Sequence, residues 1–155
     1  MSKFWDRRRV GPIKAIHPMT HRVIEVNPQA DAMIGSDLDR EMTRLPGLVS
    51  WYMALRDTAE AAYREAKHAE HNCEEDIYAE LRAQPQKGTK RTTETEMKNA
   101  VKADERMRAA FRDRMDAEAM LRNLRSAVEA MIEKRWTLQS LTKWRLSEGS
   151  VRDST

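Results

Sequence analysis

The 155-residue chain has little of several residue types on which other classes of protein depend. Its single cysteine, Cys73, cannot form an internal disulfide, which favours a small buried residue in a reducing compartment. The five glycines form neither a P-loop nor a dinucleotide-binding fingerprint, so we expect no nucleotide cofactor. No apolar run approaches the roughly 20 residues that cross a bilayer, and the N-terminus lacks the apolar core of a signal peptide. We therefore expect a cytoplasmic protein with no membrane among its partners.

Side chains that carry out catalysis or bind metals do not gather at a suitable spacing either. His68 and His71 lie one helical turn apart, but nearby Cys73 falls on a different helix face, so the three side chains diverge. Glu74 and Glu75 are adjacent on a solvated helix, where no cleft raises a carboxyl pKa. The sequence therefore predicts no catalytic residue, no metal site, no cofactor and no enzyme.

Charge and helical periodicity are what the chain has in abundance. Charged residues make up 34% and aromatic residues 6%, a composition typical of long helices. Two stretches carry apolar residues at alternating spacings of three and four, which defines one seam on each helix. The first seam is mostly small: Leu48, Tyr52, Leu55, Ala59, Ala62, Ala66, Ala69 and Cys73. The second is large: Phe111, Met115, Leu121, Leu124, Val128 and Met131.

Capping signals and prolines set the expected helix boundaries. Ser36 or Asp37 caps a short leading helix that ends near Arg44. Pro46 suits the first turn of a long helix, which is predicted to run to Ala83. The capping-box pattern at residues 93–96 starts a second long helix, predicted to continue unbroken to about Leu146.

These elements predict an all-α fold. Because the small seam can accept the large one, we expect a long, antiparallel, coiled-coil-like helical hairpin. Residues 1–35 are predicted to form an extended basic N-terminal arm, in which the alternation at 22–26 indicates a short strand that docks on a neighbour. Residues 36–146 form the hairpin and oligomerisation domain, and residues 147–155 a disordered tail.

The predicted second helix extends beyond the end of the first helix in the antiparallel hairpin. Its last apolar residues therefore have no expected partner on the first helix. A turn centred near Gly88 places Ala66 opposite Ala110 and Leu48 opposite Val128. The residues beyond this register are the predicted oligomer interface: Ile132, Trp136, Leu138, Leu141 and Trp144. Burial within the monomer is the alternative for each of them.

Positive charge is distributed unevenly along the chain. Residues 1–28 hold six basic and two acidic side chains, whereas residues 37–83 hold six basic and eleven acidic ones. Basic residues predominate again over 84–104, five against three, and over 105–146, ten against six. This segregation is consistent with a basic stripe that meets phosphate, and equally with charge complementarity between the two helices of a hairpin.

One cluster, together with the helix register, resembles the second half of UvsY, a family of phage recombination mediators. The cluster and the apolar positions that follow it are Thr95-Glu96-Met97-Lys98, Val101, Ala103-Asp104, Leu121, Leu124, Ile132-Glu133-Lys134-Arg135, Leu138 and Leu141. Trp51, the alanine-rich helix, Tyr78, Arg82 and the polar loop agree upstream, so the resemblance covers about residues 37–146. It implies a helical, ring-like homo-oligomer that binds single-stranded DNA and helps load a RecA-like recombinase onto strands occupied by single-stranded DNA-binding protein, in the host cytoplasm if the protein is phage-encoded.

The chain departs from the family near the end of the first long helix. Basic residues are expected there for DNA contact, yet residues 68–81 hold five acidic side chains and no lysine or arginine. DNA contact is therefore predicted around the hairpin tip and on the arm: Arg82, Lys87, Lys90, Arg91, Lys98, Lys102, Arg7, Arg8 and Arg9. The face carrying Arg108, Arg112 and Arg122 is the alternative location.

Two less specific interpretations remain open at the level of sequence. The basic tip is equally consistent with a solvated loop and helix face. The alternative function is a structural or scaffolding helical oligomer of a phage particle or a similar assembly, which the acidic first helix favours.

Overall fold

The computed structural model describes residues 11–83 and 93–152, with side chains as far as Ser147. The chain is mostly helical, and its two long helices pack against each other, which confirms the predicted helical hairpin; a small two-stranded sheet accompanies it. The chain divides into two compact units that we describe separately. Among the described residues, unit 1 comprises 11–59 and 120–152, and unit 2 comprises 60–83 and 93–119. Among the helices described, none combines the length and the apolar character needed to cross a bilayer.

Unit 1 begins with a β-hairpin. Strands β1 (Ile13–Ile16) and β2 (Val23–Val26) pair antiparallel over all four residues, and helix α1 (Pro28–Ala32) follows. Ile13 and Ala15 are buried while the residues between and beside them are more exposed, the alternation expected of a half-buried strand. The strand predicted at 22–26 is confirmed, but its partner belongs to the same chain. The prediction of an extended arm is therefore wrong for residues 13–32, because these short strands satisfy each other's backbone groups.

Helix α2 (Leu38–Ala83) begins at the predicted cap and ends at the predicted residue. The Asp37 carboxylate accepts a hydrogen bond from the backbone N–H of Arg40 at 3.1 Å. The helix continues through Pro46, however, so the prediction of a separate leading helix is wrong. A proline inside a helix removes one backbone hydrogen bond at a cost of about 3 kcal/mol. Burial of Leu45 and Tyr52, on either side of it, stabilises the continuous helix.

The core of unit 1 lies between the first turns of α2 and the middle of helix α4 (Glu105–Arg152). The large buried apolar residues of α4 follow spacings of three, four and seven, and they are Leu121, Leu124, Val128, Met131 and Leu138; Ala127 and Lys134 are buried as well. Leu138 is completely buried, so its assignment to an oligomer interface is wrong; it belongs to the core of this unit. Leu141 is half-buried. Ile132, Trp136 and Trp144 remain exposed.

Unit 1 contains a buried lysine, Lys134. The Nζ atom of Lys134 lies 2.6 Å from a carboxylate oxygen of Glu41 and donates to the carbonyl oxygens of Asp31 and Met33, both at 2.8 Å. The hydrogen bond from Lys134 lowers the pKa of the Glu41 carboxyl. The Tyr52 hydroxyl donates to the Asp31 carboxylate at 2.8 Å, and burial is the main reason why the pKa of Tyr52 is raised. These bonds connect the segment after the β-hairpin to both long helices.

Unit 2 contains a helix break that the sequence analysis does not predict. Helix α3 (Glu94–Ala103) starts at the predicted capping box, in which Thr93 and Glu96 exchange hydrogen bonds. The expectation of one unbroken second helix is wrong, because Asp104 adopts extended backbone and its carboxylate caps α4 by accepting from the backbone N–H of Arg106 at 2.8 Å. Helix α4 also continues to Arg152, beyond the end expected near Leu146, so the prediction of a disordered tail is wrong for residues 147–152.

The break changes the register between the long helices within unit 2. Arg106 pairs with Glu80 at 2.6 Å, and Arg114 pairs with Glu70 at 2.5 Å. The predicted register, centred on Gly88, would have placed Arg106 opposite Glu70. The shift follows from the break at Asp104, because a separate α3 precedes the start of α4.

Candidate nucleic-acid interface

Unit 2 contains a groove of about 1120 Å³ lined by α2, α3 and α4. Each helix contributes a pair of residues one turn apart, a spacing that places both side chains of a pair on one helix face. The pairs are Glu74 and Tyr78 on α2, Lys98 and Lys102 on α3, and Arg108 and Arg112 on α4. Four lysines and arginines therefore meet in one groove.

Burial explains how α3 presents its lysines. Val101 is buried, as is Ile77 of α2, and these are the buried apolar side chains among the described residues of unit 2. Lys98 and Lys102 are exposed on α3, and they lie three residues before and one residue after Val101. One amphipathic turn thus fixes the helix through its apolar residue and leaves its cations at the surface.

The bend between α3 and α4 is held by a three-residue ion cluster. The Arg106 guanidinium donates to both carboxylate oxygens of Glu80, at 2.8 and 2.6 Å, and to both oxygens of Asp104, at 3.2 and 3.1 Å. These hydrogen bonds lower the pKa values of Glu80 and Asp104 and raise that of Arg106. Because Glu80 lies on α2 and Asp104 between α3 and α4, the cluster connects α2 to the junction of the other two helices that line the groove.

The groove carries positive charge that the described protein does not neutralise. Lys98 forms an ion pair with Glu94 at 2.9 Å, and the hydrogen bond from this pair raises the pKa of Lys98. Lys102, Arg108 and Arg112 are exposed, and no residue within 11–83 or 93–147 forms an ion pair with them. The lining also includes two acidic residues, Glu74 and Glu105, so four basic side chains stand against two acidic ones.

Two aromatic rings share the groove with these cations. Phe111 is 47% exposed, although the sequence analysis placed it in the hairpin seam. That assignment is wrong, as is the one for Met115, which is 44% exposed; the register shift leaves both outside the core. Tyr78 is half-buried on the opposite helix.

The predicted DNA-binding residues separate into three groups. Lys98 and Lys102 line the groove, and Arg82 lies with its guanidinium carbon 5.8 Å from the centre of the Tyr78 ring. Arg108 and Arg112, from the alternative face, line the same groove, whereas Arg122 belongs to unit 1. The other residues lie outside the described part of the chain and remain predictions: Lys87, Lys90, Arg91, Arg7, Arg8 and Arg9.

Neither aromatic residue of the groove was among the predicted DNA-binding residues. For Phe111 the spacing was the available signal, since Arg108, Phe111 and Arg112 fall on one face of a helix.

Comparisons with protein-family models, with curated proteins and with solved structures find no match for this chain. The geometry of unit 2 and the chemistry of its side chains are therefore the basis for assigning a function.

Proposed function

We propose that this protein binds single-stranded DNA through the groove of unit 2, without reading its sequence. The observation that carries the proposal is the set of exposed cations Lys102, Arg108 and Arg112, which face one groove from two helices and have no ionic partner among the described residues. Each such cation can neutralise one phosphate and release its counterion. Contacts of this kind carry affinity and position a strand but do not distinguish bases.

The resemblance to UvsY supplies the biological role in this proposal. A recombination mediator must hold single-stranded DNA of any sequence while a RecA-like recombinase replaces single-stranded DNA-binding protein. A ring-like homo-oligomer would repeat the groove around the assembly. Several weak sites joined in this way raise the overall affinity through effective concentration, without any new contact.

Neutralising the unpaired cations tests directly whether the groove binds single-stranded DNA. Replacing Lys102, Arg108 and Arg112 by glutamine removes three charges while retaining side chains that favour helix. We expect the slope of log affinity against log salt for single-stranded DNA to flatten by about 2, because each lost phosphate contact contributes about 0.7. At about 100 mM salt, this change in slope corresponds to a roughly 100-fold loss of affinity. Fluorescence anisotropy with a labelled oligonucleotide measures both quantities.

A charge-matched variant separates the groove from general electrostatics. Lys14, Arg22 and Lys143 are exposed cations of unit 1, and changing them to glutamine removes the same net charge. We expect this control to retain most of the affinity. An equal loss in both triple variants would show that net charge, not the groove, attracts DNA.

A structural or scaffolding oligomer is the second candidate, and a separate observation favours it. Trp136 and Trp144 of α4 are 62% and 61% exposed, and Ile132 lies one turn before Trp136. Large exposed apolar side chains on one helix are typical of an interface. Light scattering on the chain and on Trp136→Asp, Trp144→Asp tests this candidate: an oligomer that the substitutions dissociate, together with no binding of nucleic acid, would replace the mediator by a scaffold.

A further inference from the structure

Phe111 combines exposure with a fixed position. Its ring lies in a groove that six charged residues line together with Tyr78, Val101, Ala103 and Met107, and nearly half of the residue is accessible to solvent. The guanidinium carbon of Arg114 lies 5.1 Å from the centre of the ring, on one of its faces. Ion pairs with Glu70 and Glu118 hold that guanidinium, at 2.5 and 3.0 Å. One ring face is thus covered by a restrained cation.

An aromatic ring held in this way is suited to stacking. A cation over one face withdraws electron density and limits ring motion, and the 47% exposure of Phe111 leaves surface that a planar group can reach. Arg82 occupies the corresponding position over the Tyr78 ring across the groove, with its guanidinium carbon at 5.8 Å. Both aromatic residues that line the groove therefore carry an arginine at one face.

The charges around Phe111 select the kind of planar group. Arg108 lies three residues before it and Arg112 one residue after it, so cations flank the ring along α4, and Lys102 faces the same groove from α3. A planar apolar group accompanied by negative charge on both sides matches this arrangement. An unpaired nucleotide has that chemistry, with a base between two phosphates.

We propose that Phe111 is a platform on which an unpaired base stacks, with Tyr78 as a second platform across the groove, while the adjacent cations bind the flanking phosphates. This inference rests on the proposed DNA-binding function and names the contact by which the groove distinguishes single strands from duplex. Bases in a duplex are already stacked on their neighbours, so duplex DNA reaches the cations but not the ring. Stacking tolerates any base, which agrees with a site that reads no sequence.

Substituting the ring provides the test. Phe111→Leu retains an apolar side chain but removes the stacking surface, and base–aromatic stacking predicts a loss of about 5- to 150-fold in affinity for a single strand of about 15 nucleotides. The salt slope should not change, because no phosphate contact is removed. Duplex affinity should also stay the same. Met115→Leu, one turn further along α4 and similarly exposed, is the matched control and should bind like wild type.

An abasic oligonucleotide makes the test specific for the base. Wild type should bind the abasic strand more weakly than the normal one by at least the factor that Phe111→Leu loses, and Phe111→Leu should show a smaller preference for the normal strand, because only the Tyr78 ring is left for stacking. Phe111→Trp should restore the preference for the normal strand. Circular dichroism confirms that each variant is folded.

The outcomes separate this inference from the function on which it rests. If wild type binds single strands and the triple glutamine variant weakens that binding while Phe111→Leu has no effect, the stacking inference is refuted and the proposed function stands. An equal loss by Phe111→Leu for single-stranded and duplex DNA also refutes stacking, since only unpaired bases reach the ring. If wild type binds neither probe, both are overturned.

Discussion

Replacing the buried lysine of unit 1 by methionine should destabilise the protein strongly. In Lys134→Met the side-chain length is nearly retained, but the Glu41 carboxylate loses its cation and the carbonyl oxygens of Asp31 and Met33 lose their donor. The side chain of Lys134 is 4% exposed and that of Glu41 is 18% exposed, so water replaces these bonds poorly. Removing one partner of a buried ion pair typically costs about 3–5 kcal/mol of the free energy of unfolding.

Chemical denaturation followed by circular dichroism measures this loss. For a chain of this size it corresponds to a fall in the melting temperature of roughly 6–20 °C. Lys143→Met is the matched control, because Lys143 is an exposed lysine of the same helix, and its effect should stay within about 0.5 kcal/mol. A loss below about 1 kcal/mol for Lys134→Met would refute the reasoning, because the ion pair would then be well hydrated.

Two further predictions concern the same cluster. Because the pKa of Glu41 is lowered in the folded state, its contribution to stability should be complete above its ordinary value of 4.5 and disappear as the pH falls through the lower folded value; urea unfolding at a series of pH values should show this loss, and Glu41→Gln should reduce it. Tyr52→Phe removes the hydrogen bond to the Asp31 carboxylate and should cost about 1.5–3 kcal/mol in the same assay; a neutral substitution would mean that this bond adds nothing to stability.

Local signals predicted several element boundaries well. The cap at Asp37, the end of α2 at Ala83 and the capping box at Thr93 each depend on a few neighbouring residues. The strand Val23–Val26 was visible for the same reason, as a short alternation. Features of this kind can be read from sequence because the atoms that decide them lie within one or two turns.

Features that depend on distant contacts were not predictable in this way. The break at Asp104 is accompanied by the bond from Arg106 to Glu80, 26 residues earlier in the chain. The lysine at position 134 is buried because α1 and the segment after it supply carbonyl oxygens about 100 residues away. Leu138 likewise looked unpartnered from the hairpin register, yet it is buried in unit 1.

The candidate site likewise contains residues that the local sequence predicted and one that depends on distant contacts. Lys98 and Lys102 were predicted to contact DNA because basic residues cluster in that part of the sequence. The role of Phe111 was not visible, because its spacing also fits a seam residue and only the shifted register leaves it exposed. Whether an amphipathic residue faces a core or a groove is decided by the partner helix.

A titration of the wild-type chain with labelled single-stranded and duplex oligonucleotides at two salt concentrations is the most direct test of the proposed function. We predict tighter binding to the single strand, and a slope of log affinity against log salt of magnitude at least about 2, from the three unpaired cations of the groove at about 0.7 each. Absence of binding to either probe at about 50 mM salt, where phosphate contacts are strong, would contradict the proposed function.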